Sequence, residues 1–95
     1  MIIRRFFFPA DLPDEQVKYL VQRANQFESE LVLRQGRRHA NAKQLLDVFR
    51  LGIRGGEALE LSVKGADEHE AAEGLAQFFV KVFRPSAAPG QRRRE

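Results

Sequence analysis

Residues 41–71 read NAKQLLDVFRLGIRGGEALELSVKGADEHEA, and the order of patterns inside this stretch decides the architecture. Gln44 to Leu51 has helical spacing but is barely two turns long, and Gly52 is placed to stop it. Gly55-Gly56 marks a turn. Residues 57–64, EALELSVK, alternate Ala58, Leu59, Leu61 and Val63 imperfectly but well enough for a strand. Gly65 ends that strand, and Asp67 with Glu70 three residues on predicts a capping box at the start of a long helix. Its buried stripe should be Ala71, Leu75, Phe78, Phe79 and Val82, and Pro85 should end it.

Working outward, IIRRFFF (residues 2–8) is β-branched and aromatic, which predicts a strand. Pro9 to Leu12 reads as a loop. A helix is expected over about 13–27, with Val17, Leu20, Val21, Ala24 and Phe27 on one stripe and Pro13 in the first turn, where a missing N–H costs nothing. ELVLR (30–34), a QGRR turn and RRHANA (37–42) predict a hairpin. The order is therefore β-α-β-β-α-β-α. It implies an α+β fold in which helices cover one face of a four-stranded, mostly antiparallel sheet.

Ninety-five residues make one domain. The expected boundaries are a domain over 1–84 and a mobile Arg-rich tail over 85–95. The net charge is +3, but residues 85–95 carry three Arg against one Glu, so the domain itself is nearly balanced and demands no nucleic-acid face. There is no cysteine, which excludes disulfides and thiolate metal sites. No apolar run approaches a membrane span and no signal peptide is visible, so a cytoplasmic location is expected.

Asn41-Ala42-Lys43, Leu51-Gly52-Ile53, Gly56-Glu57, Gly65-Ala66-Asp67-Glu68 and Phe27-Glu28-Ser29-Glu30 together resemble the HPr family of phosphocarrier proteins over roughly residues 2–84. The resemblance implies an open-faced β-sandwich with sheet order β1-β4-β2-β3. It also implies sugar phosphotransferase chemistry, in which a histidine at the N-terminus of the first helix takes up and passes on a phosphoryl group. An imidazole nitrogen attacks phosphorus, helix amides receive the oxygens, and a nearby arginine adds charge-assisted contacts.

The family motif Gly-Leu-His-x-Arg-Pro falls on Asp11-Leu12-Pro13-Asp14-Glu15-Gln16. Only Leu12 matches. Proline stands at the histidine position, and Glu15 reverses the sign of the arginine. Acidic residues in a first turn are also ordinary helix starters. The family's regulatory serine position is Gln44, which has no hydroxyl. Alternative acceptors would be His39, His69 or Asp11, yet the two histidines lack metal-ligand spacing and read as surface residues. No cofactor and no metal are expected.

What remains is docking. The resemblance implies contact through Leu12, Gln16 and an apolar patch on the short helix at Leu45, Leu46 and Phe49, one or two of these partly exposed and the rest core. Partners would be proteins of the phosphotransferase system or a transcriptional regulator. In the FFF run, alternation sends Phe6 and Phe8 one way and Phe7 the other. An aromatic on an open face invites self-association, so a homodimer through strand one is expected, with Phe6, Phe7 and Phe8 as its contacts. The rival readings are a carrier with an unusual acceptor and a nucleic-acid or scaffold module using Arg92-Arg93-Arg94.

Overall fold

A computed structural model describes residues 1–83. The elements run β1 (Ile2–Phe6), α1 (Asp14–Ala24), β2 (Glu30–Gln35), β3 (Arg38–Asn41), α2 (Leu45–Leu51), β4 (Leu59–Lys64) and α3 (Glu68–Phe83). All strand pairs are antiparallel and the sheet order is β1-β4-β2-β3. The fold is the α+β open-faced sandwich that the sequence implied. The proposed tail, 85–95, lies outside the described residues.

Register explains the two faces. Leu59, Leu61 and Val63 of β4 and Leu31 and Leu33 of β2 are fully buried; Leu31 pairs with Val63 and Leu33 with Leu61 across the sheet centre, and Leu59 pairs with Phe6 of β1. Their neighbours in sequence, Glu60, Ser62, Val32 and Arg34, face the open side, so the period of two sorts core from solvent. The helices complete the core with Val17, Leu20, Ala24, Ala71, Ala72, Leu75 and Phe79. Within the expected stripes, Val21, Phe27, Phe78 and Val82 are only partly buried against it.

β1 is shorter than expected. It ends at Phe6 because the chain then turns inward: the Phe8 carbonyl accepts from Gly56 N at 2.9 Å, and the Phe8 ring is buried. Phe6 and Phe8 both pack tilted against Phe79, at ring-centroid distances of 5.1 and 5.0 Å. Of the three phenylalanines expected at a dimer contact, only Phe7 is open to solvent, at 73%. The alternation held, but its even-numbered side became core.

The expected capping box at α3 is corrected. The Asp67 carboxylate points away from its own helix and accepts from Glu28 N at 2.8 Å, Ser29 N at 2.9 Å and Ser29 Oγ at 2.5 Å. Glu68 reaches back instead, accepting from Gly65 N at 3.2 Å. Asp67 thus ties the start of α3 to the entry of β2. The approach is so close that a Cβ on Gly65, whose φ is +154°, would lie 2.6 Å from Ser29 Oγ.

The Ser29 hydroxyl, and after it the Glu28 amide, hold the Asp67 carboxyl below its ordinary value of 3.8. The Gly65 amide does the same for Glu68. A depressed carboxylate contributes stability that is present above the unfolded-state value and is lost as pH falls through the folded one. Urea titrations should therefore show Asp67→Asn less stable than the parent at neutral pH. The gap should close below about pH 4 as the unfolded-state carboxylate protonates. A gap that stays constant down to pH 2 would show that Asp67 acts here without its charge.

Candidate functional site

The corner formed by the 8–13 loop, the start of α1 and the 52–57 loop is built from β2 outward. Gln35, read as part of a turn, is instead the last residue of β2 and fully buried. Its amide donates to the carbonyls of Arg54 and Glu57 and accepts from Arg54 N, each at 2.9 Å. A buried amide satisfied three times over fixes its surroundings, and here it shapes the 52–57 loop. No periodicity announced this residue.

That loop then holds the other. Leu12 N donates to the Ile53 carbonyl at 3.0 Å, and Gly55 N donates to Asp11 Oδ1 at 2.9 Å. Gly55 lies so close to Ala10 that an added Cβ would sit 2.6 Å from its backbone. Asp11, expected among the acids at the helix start, is thus a bridge between loops. Leu12 is also corrected. It is buried, 6% exposed, and serves the core rather than a docking face.

α1 begins without a side-chain cap. Pro13 is its N-cap residue, extended at φ −61° and ψ 142°, and Asp14 and Glu15 occupy the first turn. The acids sit where a helix dipole favours negative charge. Beside Pro13 a groove of about 420 Å³ is lined by Gln16, Tyr19, Phe78, Lys81 and Val82. Among the described residues its lining holds one cation, Lys81, and no imidazole. His39 lies exposed on β3 opposite Arg34, and His69 lies in the first turn of α3 beside Arg23, Gln26 and Phe27. Neither joins this corner. Among the described residues no cluster of three or more His, Asp or Glu could hold a metal ion.

α2 is positioned by residues of the Asn41-Ala42-Lys43 stretch. Asn41 Oδ1 accepts from Lys43 N at 2.9 Å, Ala42 is buried, and Lys43 Nζ donates to the Phe27 carbonyl at 2.6 Å. Asn25 Nδ2 adds a bond to the Lys43 carbonyl at 3.1 Å. α2 starts after Gln44, which is exposed and makes no cap bond. Gly52 ends it in the left-handed conformation, its N–H on the Val48 carbonyl. The helix buries Val48 and Leu51, whereas Leu45, Leu46 and Phe49 are 48%, 65% and 52% exposed. All three face solvent, more than expected. From this short helix the core takes only Val48 and Leu51.

The family model for the PTS HPr component phosphorylation site matches residues 11–81. The chain belongs to the HPr family. The HPr-like protein Crh of Halalkalibacterium halodurans is 38% identical over 61 residues, covering 64% of this chain and 73% of that protein. The solved HPr structure from Thermoanaerobacter tengcongensis superposes with a TM-score of 0.79 at 25% identity, covering 92% of this chain and all of the other. The structure of Bacillus subtilis Crh, described as a domain-swapped dimer, gives a TM-score of 0.66 at 30% identity over 78% of this chain and 85% of its own. Among the described residues no helix is long and apolar enough to cross a membrane. Within the HPr family frame, the motifs that carried the resemblance are the scaffold bonds above: Asn41 and Lys43 at α2, Gly65 and Asp67 at α3, and Glu57 at the buried amide of Gln35.

Proposed function

We propose that this HPr-family chain is a non-catalytic, cytoplasmic binding module that has given up the phosphoryl relay and kept the docking surface. Partners would be proteins of the phosphotransferase system or a transcriptional regulator of carbon metabolism. The observation that carries this reading is the pairing of Pro13, with no nucleophile, at the head of α1 with the open apolar patch Leu45, Leu46 and Phe49 on α2. A small domain that exposes a cluster of large apolar side chains has a use for it. The absence of a hydroxyl at Gln44 fits the same reading.

Two measurements test it. Intact mass after incubation with the phosphoryl donor enzyme should be unchanged, and a gain of one phosphoryl group would overturn the reading. Capture of the phosphotransferase proteins and their regulators by the purified chain should fall about tenfold or more for Leu46→Glu, the loss typical of a hot-spot residue. Equal capture would remove α2 from the interface. Because Leu46 is 65% exposed, this substitution should leave the melting temperature nearly unchanged.

A homodimer through β1 is the second reading, favoured by the exposed Phe7 ring and by the swapped-domain dimer of the related Crh. In this reading β1 of one copy pairs with β4 of the other. Light scattering should show dimers that Phe7→Lys dissociates. A monomer at high concentration, unchanged by the substitution, would exclude it.

A further inference from the structure

β1 lies at the margin of the sheet. It pairs with β4 on one side and has no strand on the other among the described residues. Such an edge offers a row of backbone donors and acceptors to any extended chain. Two properties of this edge select among such chains.

The first is apolar. The end of β1 and the flank of α3 enclose a groove of about 510 Å³, lined by Arg5, Phe6, Phe7, Pro9, Val80 and Phe83 among others. Phe7 is 73% and Val80 57% exposed. A strand laid beside β1 would direct alternate side chains toward this groove.

The second is charge. The register places Arg5, Glu60, Arg34 and His39 in one row across the open face. Glu60 is thus the one carboxylate between two arginines. Arg5 reaches it only at 3.9 Å, and the Arg5 side chain is 71% exposed. The next position in the row, beyond β1, is where a carboxylate would meet Arg5 directly. Opposed charges in neighbouring strands attract at this spacing.

We propose that this edge binds an extended segment of another protein, apolar on one face and acidic on the other, as an additional strand beside β1. Charge complementarity decides the occupant. A second copy pairing edge to edge would offer IIRRF, with two arginines and no carboxylate. Residues 84–95 offer four arginines against one glutamate, also the wrong sign. The site is independent of α2 and of Pro13.

The test uses the full chain and two fluorescent peptides about nine residues long, the span of a long strand. Both carry valine at alternate positions. One carries glutamate between the valines, the other lysine. The glutamate peptide should bind about tenfold tighter or better, and the difference should shrink in high salt. On isotope-labelled protein its resonance shifts should concentrate at residues 2–8 and at Val80 and Phe83. Arg5→Glu should reverse the preference, Val80→Lys should weaken binding of the glutamate peptide, and Leu46→Glu should change neither. If Arg5→Glu fails to fold, Arg5→Gln and the salt dependence carry the test. Equal binding of the two peptides, shifts confined to α2, or dimers that block the peptide would each overturn the proposal.

Discussion

Replacing Pro13 by His and Glu15 by Arg together should restore almost no phosphoryl transfer. The double variant rebuilds the nucleophile and one cation, but leaves the rest of the corner as it is. Asp11 remains tied to Gly55 N at 2.9 Å, and Asp14 remains in the first turn. A phosphoryl group brings close to two negative charges. The fixed carboxylate of Asp11 and the neighbouring Asp14 would repel that charge at the helix amides meant to receive it. Preorganised charge of the right sign is commonly worth a factor of ~100–1,000 in rate, and its reversal costs on a similar scale. Labelling by the donor enzyme should therefore stay at or below about one hundredth of that of a histidine-bearing HPr. Adding Asp11→Gly and Asp14→Ala should raise it at least about tenfold, since both carboxylates are then gone. Ready labelling of the double variant alone would show that the acids do not guard the corner.

The largest loss of stability is expected from Phe79→Ala. Phe79 is 1% exposed and touches the rings of Phe6, Phe8 and Phe78. It joins α3 to the N-terminal strand. Truncation removes its own burial and leaves a cavity beneath two further rings, at a cost of about 3–5 kcal/mol. Domains of this size are stable by about 5–15 kcal/mol in all. At ~4–8 °C per kcal/mol the midpoint should fall by roughly 12–40 °C. Phe78→Ala, at a partly buried position, should cost much less. A melt in which the two variants match would mean that the cluster is not the bond between α3 and β1.

The fold was legible because its signals are local. Leu59, Leu61 and Val63 alternate, Val17, Leu20 and Ala24 recur at helical spacing, and Gly52 stops a helix at its end. Local sequence misleads where a side chain serves a distant segment. Asp67 looked like a cap for its own helix but bonds Ser29, thirty-eight positions away. Gln35 looked like part of a turn because its partners, Arg54 and Glu57, lie beyond β3 and α2. Leu12 matched the family motif, yet the backbone bond to Ile53 draws it into the core. At the site, proline and glutamate could be read as replacements, but Asp11's bond to Gly55 could not. The exposure of α2 was read only in part, since two apolar residues of that helix sufficed for the core.

The pairing of the first strand with the last has a consequence for synthesis. Among the described residues β1 pairs only with β4, with Ile2 opposite Val63 and Phe6 opposite Leu59, and the Phe6 ring closes on Phe79. A nascent chain therefore presents the run of three phenylalanines before β4 and α3 have been made, and can bury Phe6 and Phe8 only after Phe79 has followed. Long-range pairing of this kind slows folding and prolongs the exposure of sticky sequence. Arg4 and Arg5, directly before that run, put two like charges where gatekeeper residues against association of unfolded chains belong.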